Sequence, residues 1–260
     1  MRDFRIVLLG LMFISLPARG EDGAAKWSAL RQRMQEFVDR GEIAGAVTVV
    51  GQRRGIVNLE TVGWRDLNER APMQRETLFR IASMTKPITA IGIMILVDDG
   101  KLRIDDPVER HLPEFADPWM VAERLPDRLV LRRPRRPITI KDLLTHTSGL
   151  PSGMPVGLAD LYRRRDRTLA EAVMAISQRP LEFEPGSRWS YSNAGIDVLG
   201  RIIEVASGQR YEDFLQTRLF DPLGMRDTTF YPTLEQTKRL ATTYELRDGQ
   251  LRANPGTLMD

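Results

Sequence analysis

A serine and a lysine stand three positions apart at the start of an apolar segment, at Ser83 and Lys86. Residues i and i+3 of a helix lie on one face, so the hydroxyl and the ammonium would point to the same place. A serine becomes a strong nucleophile only when a neighbour takes its proton, and a desolvated lysine can do so. The spacing predicts a nucleophile with its base. Taken alone, the pair is also explained by a helix cap beside a solvated lysine.

A second motif, Tyr191-Ser192-Asn193, is much rarer by chance, because the chain contains only 5 tyrosines. A phenol can share or relay the serine proton once a nearby cation lowers its pKa from about 10. The asparagine amide can hold a substrate carbonyl or the lysine. Together the two motifs favour a catalytic site over the alternative, in which Tyr191 and Asn193 form a turn beside a core aromatic.

The histidines and the missing cysteines narrow the chemistry further. His111 and His146 are far apart in the sequence and there is no cysteine, which argues against a metal site, a disulfide and a thiolate nucleophile. We therefore expect no metal and no cofactor. His146 lies between two threonines before Ser148-Gly149, and we interpret it as a residue that braces a turn rather than as a general base. His111 is predicted to lie on the surface.

The charge balance argues against a nucleic-acid partner. Lys plus Arg number 38 against 35 Asp plus Glu, a net charge of +3, whereas nucleic-acid binding usually shows as a pronounced basic stripe. Local arginine clusters are interpreted as solvated loop charge, with an anionic partner as the alternative. These arginines are Arg132, Arg133, Arg135 and Arg136, and Arg163, Arg164, Arg165 and Arg167.

The N-terminus has the pattern of a secretory signal. Arg2 and Arg5 precede the apolar run Ile6–Leu16, and the small residues Ala18 and Gly20 follow it. This pattern predicts a signal peptide over residues 1–20 and a secreted or periplasmic domain over residues 21–260. The run is shorter than the roughly 20 residues that cross a bilayer, so no stable membrane span is expected after cleavage, with an uncleaved anchor as the alternative.

Apolar spacing along the rest of the chain predicts an α+β fold, with strands near the start and near the end and helices between them. A helix over Trp27–Arg40 precedes a β-hairpin, and a buried helix over Ile88–Val97 ends at Asp98-Asp99-Gly100. A turn at Asp248-Gly249 predicts a second hairpin. The strands of the first hairpin are Ala46–Val50 and Ile56–Val62, and the later helical segments are Ile140–Leu144, Leu169–Ile176, Ala194–Val205 and Tyr211–Leu219.

Three segments, in this order, resemble the serine β-lactamase and penicillin-binding-protein superfamily: Phe79–Lys86, Leu143–Pro151 and Glu184–Asn193. The tyrosine in the second motif points to the class C β-lactamase and esterase-like branch. The resemblance implies a β-lactamase-like α+β fold, in which an antiparallel sheet packs against helices beside a helical region. It also implies that Ser83 is acylated, that Lys86 activates it, that Tyr191 is the base and that Asn193 orients the substrate.

The chain departs from this family at a third motif. The family carries Lys-Thr-Gly or His-x-Gly on a strand that lines the cleft and supplies an oxyanion amide, and no such motif follows Asn193. We therefore expect a sheet that is incomplete here, in a chain truncated at its C-terminus, of low stability and little activity. Two functions stay open. The first is a serine hydrolase that acts on a small ester, amide or β-lactam, and the second is an impaired relic or binding module that retains the pocket.

Overall fold

The computed structural model describes residues 21–151 and 167–254. The predicted signal peptide of residues 1–20, arginines 163–165 and most of the loop from Pro151 to Leu158 lie outside the described residues. The helices are α1 (Glu21–Asp39), α2 (Thr85–Asp98), α3 (Ile140–Leu144), α4 (Leu169–Ser177), α5 (Asn193–Ser207), α6 (Tyr211–Leu215) and α7 (Leu234–Thr237). The strands are β1 (Gly45–Gln52), β2 (Gly55–Asp66), β3 (Ala71–Pro72), β4 (Met120–Arg124), β5 (Leu129–Arg132), β6 (Tyr244–Arg247) and β7 (Gln250–Ala253).

One compact unit contains the described residues up to Arg80 together with residues 235–254. Its sheet has the order β1-β2-β3, and the predicted first hairpin is confirmed by the antiparallel pairing of β1 with β2. Gly63 has φ +70°, and a Cβ there would lie 2.4 Å from the carbonyl oxygen of Ala44. Only glycine fits this close approach of the backbone.

The second predicted hairpin is also confirmed, as β6 and β7 in the same unit. Asp248 and Gly249 at its turn have φ values of 51° and 74°. Positive φ at both central residues is typical of a type I′ turn, which matches the twist of two antiparallel strands. The aspartate–glycine pair therefore fixes this hairpin locally.

The other compact unit runs from Ile81 to Leu234 and holds the main hydrophobic core. Its central helices, α2 and α5, pack so closely that a Cβ at Gly92 would lie 2.8 Å from Cδ1 of Ile203. Helix α5 is well capped, because the Ser192 hydroxyl accepts the Gly195 N–H at its start and Gly208 with φ +73° ends it. The predicted burial of α2 holds for one face only, since Ile91 and Met94 are exposed.

The middle of the chain contains a strand pair that the apolar spacing did not predict. Strands β4 and β5 form an antiparallel hairpin in a region predicted to be helical. All of β5 is exposed and the side chains show no clear alternation, so the period-2 signal of a half-buried strand is absent. The sequence does contain two turn-favouring residues between these strands, Pro126 and Asp127, which could have indicated the hairpin.

The prediction for His111 was wrong, and the prediction for one arginine cluster was confirmed. His111 is not a surface residue, because its ring is only 11% exposed and its Nε2 lies 3.2 Å from the buried carboxylate of Asp106. The solvated arginines 132, 133, 135 and 136 are exposed as predicted, and two of them, Arg132 and Arg136, also pair with Glu184 and Asp142 at N–O distances of 2.5 and 2.6 Å. Within residues 21–151 and 167–254, no helix is both long enough and apolar enough to cross a bilayer.

Candidate active site

Ser83 lies in a 3₁₀ turn, Ala82–Met84, which leads directly into α2. Ala82 has φ +43°, in the left-handed region that residues with a Cβ seldom adopt. Backbone strain of this kind is concentrated at functional sites. Ser83 is itself exposed, so a substrate can reach its hydroxyl.

Lys86 is the second residue of α2, one turn after the serine. Its Nζ donates a hydrogen bond of 3.0 Å to Ser83 Oγ. The spacing of three residues therefore brings the two groups together as predicted, although the serine lies in the 3₁₀ turn and not in the helix proper.

Tyr191 comes to the serine from the loop that precedes α5. Its hydroxyl donates a hydrogen bond of 2.8 Å to Ser83 Oγ, across 108 positions of sequence. The serine oxygen thus lies within hydrogen-bond distance of two polar groups that can exchange protons with it. The structure therefore brings together three of the four site residues that the sequence predicted.

The charge on Lys86 acts on the Tyr191 phenol. The Lys86 ammonium beside the phenol, and then the hydrogen bond to Ser83, lower the pKa of Tyr191 below its usual value near 10. Lys86 Nζ also lies 4.7 Å from the centre of the tyrosine ring, within the range of a cation–π contact. Relative to a free phenol, the site thus stabilises the phenolate, which is the form that accepts a proton.

Asn193, the fourth predicted residue, begins α5 and is exposed. Its side-chain amide makes no hydrogen bond within the part of the chain that the structure describes. The amide is therefore available to a ligand, but no contact ties it to Ser83 or Lys86.

Asp197 is a titratable neighbour that the sequence analysis missed. Burial raises its pKa to about 6, against the opposing pull of the Lys86 ammonium. It lies one helical turn after Asn193, and an i, i+4 search from the second motif would have found it. Its carboxyl makes no hydrogen bond or ion pair with the described residues, so its charge acts on Lys86 through space.

His146 braces the loop that carries Tyr191, as predicted. Its carbonyl oxygen accepts the Ser190 N–H at 2.8 Å, and its Nδ1 accepts the Ser192 N–H at 3.3 Å. Burial, and then the charge on Lys86, lower the pKa of the His146 ring. A neutral ring that accepts at Nδ1 carries its proton on Nε2.

The arrangement fits nucleophilic acyl transfer. An exposed hydroxyl lies between an ammonium and an acidified phenol, which is the geometry of a nucleophile with its proton acceptor. Across residues 21–151 and 167–254 the structure contains no cluster of three or more His, Cys, Asp or Glu side chains that could hold a metal ion.

Comparison with known protein families agrees with the resemblance of the three sequence segments to the serine β-lactamase superfamily. A family model described as Beta-lactamase matches residues 30–260, and the chain belongs to this family. It is similar to an uncharacterized protein of Mycobacterium tuberculosis, with 40% identity over 217 residues, which are 82% of this chain and 54% of that relative. It is also similar to esterase EstB of Burkholderia gladioli, with 38% identity over 238 residues, which are 88% of this chain and 57% of EstB.

Among solved structures, the chain is similar to EstCE1, a hydrolase with promiscuous acyltransferase activity. The TM-score is 0.75 at 32% identity, over 90% of this chain and 59% of EstCE1. The β-lactamase-like α+β fold that the resemblance implied is therefore confirmed. The chain spans a little over half the length of these relatives.

Proposed function

We propose that this protein is a serine hydrolase that forms an acyl-enzyme at Ser83 and acts on small esters. The observation that carries the proposal is the position of Ser83 Oγ, 3.0 Å from Lys86 Nζ and 2.8 Å from the Tyr191 hydroxyl. The names of EstB, an esterase, and of EstCE1, a hydrolase with acyltransferase activity, support an ester over the amide and β-lactam alternatives.

The reaction follows from these contacts. Ser83 Oγ bonds to the carbonyl carbon of the substrate while its proton passes to the Tyr191 phenolate, and Lys86 stabilises the charge that moves between the two oxygens. The carbonyl oxygen reforms its double bond, and the alkoxide leaves with the proton from Tyr191. Water then attacks the acyl-enzyme, gives one proton to Tyr191 and releases the acid, and Ser83 takes that proton back.

We propose also that the protein acts outside the cytoplasm, in the periplasm or the medium. The support is the sequence of residues 1–20, in which arginines precede an apolar run and small residues follow it.

Labelling with a fluorophosphonate tests the proposed chemistry, because this reagent reacts with activated serines. We expect one label per chain, located at Ser83 by peptide mass spectrometry, and none in Ser83→Ala. Ser177→Ala is the matched control and should label like the parent chain, because Ser177 lies on α4 and its hydroxyl donates to the Met174 carbonyl.

Labelling that persists in Ser83→Ala would refute the assignment. Hydrolysis of a short-chain nitrophenyl ester and of a chromogenic β-lactam then identifies the substrate class. We expect the ester to be cleaved faster. Labelling of Ser83 without any turnover of either substrate would instead support the binding-module alternative.

A further inference from the structure

His146 contacts the Tyr191 segment on both sides of the tyrosine. Its carbonyl oxygen accepts the Ser190 N–H at 2.8 Å and its Nδ1 accepts the Ser192 N–H at 3.3 Å. Its ring also lies over the tyrosine ring, with centroids 4.8 Å apart and planes inclined by 37°. One residue therefore fixes the backbone before Tyr191, the backbone after it and the ring between them.

The backbone of His146 is itself unusual. Its φ of +57° is in the left-handed region, which is uncommon for residues other than glycine and in which asparagine and histidine are enriched. Such a conformation persists only where surrounding contacts hold it. Here the bonds to Ser190 and Ser192 do so, and the loop and its histidine hold each other in place.

We propose that His146 is a positioning residue that holds Tyr191 against Ser83, and that it does so only while its ring is neutral. The inference rests on the proposed function, in which Tyr191 takes the serine proton. Nδ1 accepts the Ser192 N–H through its lone pair, and protonation at Nδ1 removes that lone pair. The protonated ring would also place a second cation near Lys86. Both effects release the tyrosine segment.

The surroundings of the ring set the direction of the pH dependence. The titratable groups that face it within the described residues are Lys86, from α2, and Tyr191. Burial and the Lys86 charge disfavour the imidazolium, so the ring is neutral at pH 7 and takes up its proton below the ordinary value of about 6.5. Asp197, with a pKa of about 6, also titrates between pH 5 and 8 and acts on Lys86, so its contribution must be separated.

Three substitutions separate the functions of the ring. His146→Asn keeps an acceptor near the position of Nδ1, tolerates the left-handed backbone and does not titrate. His146→Phe keeps a ring over Tyr191 and removes the acceptor. His111→Asn is the matched control, because the chain has only two histidines and His111 bonds Asp106 instead.

The rate of Ser83 acylation by a fluorophosphonate is measured between pH 5 and 8. At pH 7 we expect His146→Phe to be slower by about 10- to 100-fold, as for other small displacements of a catalytic group. The acylation rate of His146→Asn should stay within about threefold of the parent rate at pH 7. In the parent chain, protonation of His146 should make the rate fall further at low pH. This fall should be absent in His146→Asn and present in Asp197→Asn. A His146→Phe rate equal to the parent rate, or identical pH profiles for His146→Asn and the parent chain, would overturn the inference.

A spectroscopic measurement decides the question even if Ser83 is not acylated. In an amide NMR titration, the Ser192 N–H signal should move with the same pKa as the His146 ring protons, and it should not move with pH in His146→Asn. The His111→Asn spectrum identifies which ring is which. A Ser192 signal that stays constant while His146 titrates would refute the positioning role. Failure of the proposed function would appear separately, as absence of label in the parent chain.

Discussion

Tyr191→Phe tests the proposed base most directly, because it removes one oxygen and leaves the ring. The lost oxygen is the group that lies 2.8 Å from Ser83 Oγ. The ring contacts with Lys86 and His146, at 4.7 and 4.8 Å, remain possible for phenylalanine. The substitution therefore isolates the proton acceptor from the packing around it.

The expected magnitude follows from the chemistry of proton transfer. A positioned general base contributes about 10²- to 10⁴-fold in rate, so acylation of Ser83 should slow by that factor. The pH profile should also change. In the parent chain the rate rises with pH through the depressed pKa of Tyr191, because the phenolate is the active form, and the phenylalanine variant should lack this rise.

The assay is stopped-flow acylation by a fluorophosphonate or a nitrophenyl ester, with Tyr211→Phe as the matched control. The Tyr211 hydroxyl bonds Thr89 Oγ1 at 2.6 Å and makes no contact with Ser83. The control should lose about 1 kcal/mol of stability and keep its acylation rate. A Tyr191→Phe chain that acylates at the parent rate, with the parent pH profile, would refute the reasoning and leave Lys86 as the base.

Two further predictions concern stability and are checked by urea unfolding. Gly92→Ala should destabilise the fold by about 1–3 kcal/mol, because the new Cβ would lie 2.8 Å from Ile203 Cδ1, whereas an unhindered Gly→Ala change in a helix would stabilise it by up to about 1 kcal/mol. Asp197→Asn should become more stable than the parent chain as the pH rises from 4 to 7. In the parent chain the Asp197 carboxyl has a pKa raised to about 6, so its ionisation with rising pH lowers the free energy of unfolding. Asparagine does not ionise and avoids this loss. The gain should approach about 3 kcal/mol at pH 7, and equal differences at the two pH values would contradict the burial of this carboxyl.

The features of the fold and of the site that the sequence predicted best are those that depend on local geometry. The Ser83–Lys86 contact follows from helical spacing, because three residues make about one turn. The Asp248-Gly249 turn follows from the preference of these residues for positive φ. The approach of Tyr191 to Ser83 is different, because 108 positions separate them and no local spacing brings them together. The rarity of the second motif and the family resemblance were the indications that they meet.

The parts that were missed depend on tertiary packing. The burial of His111 arises from Asp106, whose carboxylate also accepts from Arg103 N–H and Arg110, and no periodicity reports such a cluster. The β4–β5 hairpin carries little burial signal because β5 is exposed along its whole length. Asp197 was missed because a single acidic residue on a helix is usually solvated, whereas here burial raises its pKa to about 6.

The two strained residues of the site, Ala82 and His146, show how the fold supports the chemistry. Ala82, with φ +43°, directly precedes Ser83. His146, with φ +57°, contacts Tyr191. Strain of this kind costs of order 1–3 kcal/mol per residue, so neighbouring structure must offset it. Ala82 leads into α2, whose close packing against α5 resists relaxation, and the contacts from His146 end at Ser192, the residue that caps α5. Because both strained segments are anchored to the same helix pair, Ser83 and Tyr191 are held at hydrogen-bond distance by the core and not by contacts within the site alone.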